Sequence, residues 1–504
     1  MEYRDEKNVG IGVKVTDKTV SFELNTELSL PDYLGEISRL LWVRPVVSAP
    51  SRFLSGGNAE FSGRVCYNAL YAGADGKLYT AEAEDTYSFT VPSAAPRADM
   101  LGVTICPDVM VGRVAAPRKL SLRARMHAHV CGYGERALET HLPPEAGEDV
   151  CRLFELTECG RVALGEGESA ELYGELDVQG ASVLTSRAEV FLPEVAVRSG
   201  AVECRGEVIV TVLCQPQDAD GSAALPRATE CRLPLQLEVP FEGVGSDWRA
   251  RATATVEDIR VAENGGKVSL AVRVKPMVEA TCTEPVAYVK DLFVPGCRTE
   301  CRRGEESFFL PTVCTNKNFS ISGSFPFGEI GMPEGAAVID AAAEAEVKEK
   351  TTDGKSIWLT GEIHGHVLFG CEGEFGTADV TVPFRVQTEG CFEELQVSAS
   401  VPVIGVRAER GNLRVDAELQ LSLCGFCFGS VAPVADATCT PNEDRPDADL
   451  LLYYPTPGES LWEVARRYAV PPRDVAAQNG LDAEGMGEAD SLSGVPFLMI
   501  PTAF

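Results

Sequence analysis

Several residue clusters in this chain have types and spacings that suit chemistry. Gly354-Lys355-Ser356 ends like a phosphate-binding loop, but such a loop needs another glycine five residues before Gly354, where Glu349 stands. Asp353-Gly354 between two alternating segments reads instead as a hairpin turn. His127 with His129, and His364 with His366, are i, i+2 pairs whose side chains leave one strand face, as two ligands of a metal would. Of the five histidines only His141 is left to join them, and no carboxylate stands at a recognisable ligand spacing, so packed or solvated strand histidines are the expectation. Cys424-Gly425-Phe426-Cys427 is a lone CxxC in strand-like surroundings. A redox pair belongs at a helix start, where the dipole favours the thiolate, and a zinc site needs a second pair, for which Cys297 and Cys301 are the candidates. No Gly-x-Ser-x-Gly elbow occurs, and the many carboxylates show no spacing that pairs two for acid and base work. The chain is therefore read as non-enzymatic, with no catalytic residue, metal centre or cofactor expected. Arg302-Arg303 and Arg466-Arg467 are the notable basic doublets.

These clusters need elements to hold them, and 504 residues suggest three or four domains of roughly 100–150 residues each. The 45 Lys and Arg stand against 75 Asp and Glu, a formal charge of −30, which works against phosphate backbones and anionic membranes. A hydrophobic share of 45% with 24% charged residues is that of a folding chain. Met1 to Lys7 is charged, with no apolar leader after it, and no run of ~18 apolar residues follows. The expectation is a soluble protein kept in the compartment where it is made, its 17 cysteines held as reduced thiols in a cytosol.

The dominant pattern before residue 455 is apolar/polar alternation broken by Gly and Asp-Gly turns, which predicts β structure. One strand recurs as Ala59-Glu60-Phe61-Ser62-Gly63-Arg64-Val65, Val202-Glu203-Cys204-Arg205-Gly206-Glu207-Val208 and Trp358-Leu359-Thr360-Gly361-Glu362-Ile363, its glycines 143 and 155 residues apart. A following turn recurs as Ala74-Asp75-Gly76-Lys77, Ala219-Asp220-Gly221-Ser222 and Glu374-Phe375-Gly376-Thr377. A second hairpin recurs at Pro117 to Leu122, Gly266 to Leu270 and Gly411 to Val415, with offsets of 148 and 145 from Lys119 to Lys267 to Asn412. Three anchors with one period of about 150 residues predict three tandem antiparallel β-sandwich-like domains. Their expected bounds are residues 1–147, 148–300 and 301–432, forming an elongated scaffold. Residues 433–449, rich in Pro, Asp and Ala, read as an acidic linker to a last domain at 450–504.

In that last stretch the period changes. Ser460 and Glu463 make a capping box, and Leu461, Val464, Ala465 and Tyr468 share one helix face. Pro472 opens a second short helix that stops at Asn479-Gly480, and strands at Leu451-Leu452-Tyr453 and Phe497-Leu498-Met499-Ile500 bracket the pair. The order is βααβ, a small α+β domain. Tyr453, Gly458-Glu459-Ser460-Leu461-Trp462, Ala465-Arg466-Arg467-Tyr468, Asn479-Gly480-Leu481 and Leu498-Met499-Ile500-Pro501 together resemble a LysM module. Pro455, where the family usually has a strand valine, and the acidic stretch Ala483 to Asp490 depart from its pattern. The Gly-x-Val strand, the Asp-Gly hairpin and Tyr288-Val289-Lys290-Asp291-Leu292-Phe293-Val294-Pro295, with that module, resemble the SPOCS-domain morphogenetic proteins of the bacterial spore coat.

The resemblance implies a scaffold or adaptor in endospore coat assembly, cytoplasmic in the mother cell at the forespore surface. Its implied protein partner is a spore-coat morphogenetic ATPase bound through the LysM module, with multivalent tethering as the mechanism. In LysM modules that bind sugar, the groove lies between the loops here spanning Thr456, Pro457, Gly458 and Glu459, and Asn479 to Leu481. Peptidoglycan or another N-acetylglucosamine polymer is thus the alternative partner. Arg466 and Arg467, expected on the outer side of the first helix, are candidates for meeting an acidic protein surface, because the module itself carries three basic against seven acidic residues. Nucleic acid and membrane insertion are not expected.

Overall fold

Leu233, Leu235, Leu237 and Val239 are buried, while Pro234, Gln236, Glu238 and Pro240 between them are exposed. Ala378, Val380, Val382, Phe384 and Val386 alternate in the same way. A strand sends successive side chains to opposite faces, so this pattern builds sheets with one dry face, and two such faces must close on each other. The protein, described by a computed structural model over residues 10–142, 149–216, 224–441, 450–481 and 491–501, is mainly β, with antiparallel sheets and two short α-helices.

The first seven strands are β1 (Gly10–Ser29), β2 (Ile37–Val47), β3 (Ser51–Ser55), β4 (Asn58–Gly73), β5 (Leu78–Pro92), β6 (Leu101–Ala116) and β7 (Lys119–Ala137). One sheet has the order β1-β7-β6, and in the other β4 lies between β5 on one side and β2 with β3 on the other. The next seven are β8 (Cys151–Glu166), β9 (Ala170–Asp177), β10 (Ser182–Arg198), β11 (Ala201–Gln215), β12 (Arg227–Pro240), β13 (Arg249–Asn264) and β14 (Lys267–Phe293). Here β14 lies between β13 and the pair β8 and β9, and β11 lies between β10 and β12. After the short β15 (Cys297–Arg303) come β16 (Glu306–Pro326), β17 (Ala337–Thr352), β18 (Ser356–Cys371), β19 (Glu374–Glu389), β20 (Glu394–Glu409) and β21 (Asn412–Val431), with sheets β16-β21-β20 and β17-β18-β19. The same path therefore occurs three times: first, last and penultimate strands in one sheet, the middle strands in the other. Each pair of sheets encloses its own apolar core.

The recurrent glycines occupy the middle strands β4, β11 and β18, each opposite an irregularity in the neighbouring strand. Gly206 faces the bulge between Phe191 and Glu194, and a Cβ there would stand 1.8 Å from the Phe191 carbonyl oxygen. Gly361 faces the bulge after Val347, with its Cβ position 2.1 Å from the Glu346 carbonyl. Gly63 lies opposite the break between β2 and β3, under the Tyr87 ring whose hydroxyl donates to the Ser48 carbonyl at 3.0 Å. A bulged partner presses on the strand it faces, and only a residue without a side chain accepts that approach.

The turns agree with the sequence at Gly76, and at Gly265-Gly266 and Arg410-Gly411, whose paired positive φ angles suit two-residue hairpins. The turn at 219–222 lies outside the described residues. Gly376 differs from expectation: it sits inside β19, paired with Phe369, and the turn is made by Glu372-Gly373 at φ 50° and 85°. The closing angle follows that left-handed pair and not the later glycine.

Two further expectations are corrected. The three units do not string out into an elongated body, because Tyr133, Leu164, Phe309 and Phe426 share one apolar cluster and Ile11, Tyr288 and Phe308 share another. Nor are residues 433–449 all linker. Val434–Pro441 forms β22, antiparallel to β15, with Val434 and Ala437 buried against Leu292. The expected cut between residues 300 and 301 thus falls inside a paired strand, and residues 442–449 lie outside the described residues. β23 (Leu450–Tyr453), α1 (Leu461–Tyr468), α2 (Pro472–Gln478) and β24 (Leu498–Pro501) follow in the order βααβ, with β23 and β24 antiparallel.

Candidate functional site

The C-terminal βααβ unit carries the residues singled out by sequence, and its local geometry follows from short-range signals. Ser460 accepts the Glu463 N–H while the Glu463 carboxylate accepts from Ser460 N–H, a reciprocal cap on α1. Leu461, Val464 and Ala465 point from α1 into a core shared with Val475, Leu498 and Ile500.

Of the loop residues expected to line a sugar groove, Thr456, Pro457 and Gly458 are exposed. Glu459 is not: it is 7% exposed, and its carboxylate accepts from the Tyr453 hydroxyl at 2.8 Å and the Thr456 N–H at 3.0 Å and pairs with Arg467 at 2.8 Å. Burial works against its charge, but these donors and Arg467 prevail and hold the carboxyl below its ordinary value. Asn479 is spent in the same way. Its amide donates to the Val475 and Met499 carbonyls and accepts the Met499 N–H, tying the end of α2 to β24. Leu481 packs on the unit's own core. The expected groove therefore keeps an exposed loop, while Glu459 and Asn479 act as braces through their hydrogen bonds and Leu481 through packing.

The arginine doublet divides. Arg467 is half-exposed and lies over the Tyr453 ring, 5.5 Å from its centre. Arg466 does not face outward as expected. It is turned onto Asp291 near the end of β14, where it meets the carboxylate that also accepts from Trp462 Nε1 at 2.9 Å. Trp462 is 3% exposed and meets Phe293 edge-on, with ring centres 5.1 Å apart. Gly296 N–H donates to the Ala469 carbonyl at 2.8 Å, and Cys151 and Leu153 of β8 pack on the same core. The βααβ unit is thus clasped to the second set of sheets through one face of α1. Sequence reasoning placed Asp291 and Phe293 in the stretch that carries the SPOCS resemblance but gave no sign of this contact.

A second site emerges where the three units meet. β7, β14 and β21 bury one face in the lower half and both faces in the upper half, where their outward side chains converge. The internal repeat makes Cys131, Glu279 and Cys424 equivalent, and their cross-strand neighbours are Gly102, Arg251 and Gln396. Arg251 Nη2 lies 2.6 Å from Glu279 Oε2 and donates to Gln396 Oε1 at 2.8 Å, and Gln396 Nε2 donates to the Tyr133 hydroxyl at 2.8 Å. Burial opposes the guanidinium charge, and Glu279 more than restores it, raising the Arg251 pKa. Burial pushes the Cys131 thiol up to about 12 and Cys424 well above its ordinary value, so these sulfurs are inert fillers and not nucleophiles. A cleft of about 370 Å³ opens beside this knot, with Glu279, Ser422, Lys350 and Gln396 in its walls. Glu279 Oε1 and Ser422 Oγ have no hydrogen-bond partner among the described residues.

The remaining candidates separate. Cys424 and Cys427, three apart on a strand, face opposite sides: Cys424 joins the central cluster and Cys427 neighbours Cys391. His129 bonds Asp17 at 2.9 Å and His366 bonds Asp379 at 2.7 Å on exposed strand faces. Among the described residues no group of three or more His, Cys, Asp or Glu is placed to hold a metal ion, and no helix is long and apolar enough to cross a membrane. Gly354, at φ 89°, closes the β17–β18 hairpin, where Asp353 Oδ1 accepts from the Lys355 and Ser356 N–H groups. Comparison of the chain with protein-family models, with curated proteins and with solved structures finds no match.

Proposed function

We propose that this chain is a non-enzymatic scaffold and adaptor of endospore coat assembly. In this reading three SPOCS-like β domains form the body and the βααβ unit is a LysM module that tethers a coat morphogenetic ATPase at the forespore surface of the mother cell. The observation that supports it is the run from Gly458 to Tyr468, with its capping box and apolar helix face, together with the Tyr453–Glu459–Arg467 brace. The body adds support: Arg251, Gln396, Tyr133 and Asn316 near the three-way junction bond from one unit to another, as expected of a structural part. Engagement of Glu459 and Asn479 inside the module speaks for a protein partner over a sugar polymer, since two side chains of the expected groove already have their hydrogen bonds.

The test is co-purification. The full chain and a chain ending at Pro441 are each mixed with the coat ATPase and, separately, sedimented with purified peptidoglycan. ATPase capture by the full chain and its loss on truncation support the reading. Sedimentation with the wall without ATPase capture overturns it in favour of a peptidoglycan-binding protein.

A further inference from the structure

The clasp between α1 and β14 has a chemistry of its own. Trp462 and Arg466 are four residues apart, hence on one helix face, and both reach a single carboxylate oxygen, Asp291 Oδ2. Two residues further along the same strand, Phe293 puts its ring against the Trp462 indole. The recognised feature is therefore a strand-borne Asp-x-aromatic pair, read by one aromatic N–H donor and one guanidinium. The fit in cis is incomplete: Asp291 Oδ1 is buried and meets no donor among the described residues, a cost that solvent or another donor would remove. The module has packing of its own besides the clasp, because Val464, Ala465, Val475, Leu498 and Ile500 belong to the same core and Glu459 is satisfied within the module.

We infer that the Trp462–Arg466 face of α1 is a binding site for a strand carrying an Asp-x-aromatic motif, occupied in this chain by its own Asp291-Leu292-Phe293. A protein partner displaying the same motif takes the site by exchange, and the clasp keeps the module masked until then. This deepens the adaptor reading and rests on it for the identity of the partner, but the site itself is testable without any coat protein.

Two measurements on the full chain decide it. Hydrogen–deuterium exchange of residues 461–468 is followed in the wild type, in Asp291→Ala and in Arg466→Ala, which open the clasp from opposite sides. A labelled peptide of residues 287–295, which contains Asp291 and Phe293, is then titrated into each chain by fluorescence anisotropy. Both variants are expected to exchange at least tenfold faster over α1, and Asp291→Ala to bind the peptide at least tenfold more tightly than wild type. A peptide with Ala at the Asp291 and Phe293 positions should not bind. Unchanged exchange in both variants, or peptide binding no tighter to Asp291→Ala than to wild type, overturns the inference. Because ATPase co-purification is a separate readout, failure here is distinguishable from failure of the adaptor reading.

Discussion

Arg251 and Glu279 face each other across β13 and β14 at the point where all three β units converge, with side chains 13% and 7% exposed. The pair is held from the third unit by Gln396 and from the first by Tyr133 through that glutamine. A buried charge that loses its partner is far more costly than the pair is worth. Glu279→Ala is therefore expected to destabilise the body by about 3–5 kcal/mol, whereas Arg251→Met with Glu279→Leu should cost much less. Denaturant melts of the two variants check this, and equal losses would contradict it.

Gly206 tests the account of the recurrent strand. Gly206→Ala drives a methyl into the Phe191 carbonyl, a backbone atom that cannot rotate away, so an overpacking loss of about 1–3 kcal/mol is expected. Gly56→Ala is the control for open space: no atom lies near its Cβ position, and the cost there comes from its φ of 56° alone. Thermal melts of both should place Gly206→Ala well below Gly56→Ala.

The lowered carboxyl of Glu459 gives the C-terminal unit a pH dependence of definite sign. Its folded pKa lies below the ordinary 4.5, so its contribution is complete above that pH and is lost as pH falls through the folded value. Hydrogen exchange of α1 and α2 should hold steady from pH 7 to about 5, after correction for intrinsic rates, and accelerate below it. Glu459→Gln should weaken the unit by about 2 kcal/mol at pH 7 and flatten that acid limb.

Thiol chemistry should divide the cysteines by depth. Cys131, Cys159, Cys204, Cys214, Cys282, Cys314 and Cys424 are buried, whereas Cys66 is exposed. Iodoacetamide at pH 8, read by peptide mass, should modify Cys66 in the native chain and leave those seven unmodified until denaturant is added. Rapid native labelling of Cys131 or Cys424 would contradict the packed junction.

What could be read from sequence was what is local. Ser460 with Glu463, Pro472 and Asn479-Gly480 lie within one or two turns of the helix ends they mark, and the βααβ order follows from them. Gly63, Gly206 and Gly361 were legible as a repeat because each answers the same irregularity in its neighbouring strand. The junction was not, since Cys131, Glu279 and Cys424 occupy the polar phase of an alternating pattern, and alternation cannot tell a face that meets water from one that meets another unit. Gly376 misled because it lies near a turn without making it. The clasp was invisible for a different reason: Trp462 and Arg466 lie 171 and 175 residues from Asp291, and no spacing rule spans such a separation.

The shared cluster of Tyr133, Phe309 and Phe426 sets an order on synthesis. When β7 leaves the ribosome, the strands that cover its outer face are still about 170 to 290 residues from being made, which at typical elongation rates is on the order of 10–60 s. For that interval the nascent first unit can close its own core but shows Cys131 and Tyr133 to the solvent, a sticky face with no cover. Fragments cut after the first or second unit inherit this permanently, so they should aggregate where the whole chain does not, and chaperone dependence should end only when β21 emerges.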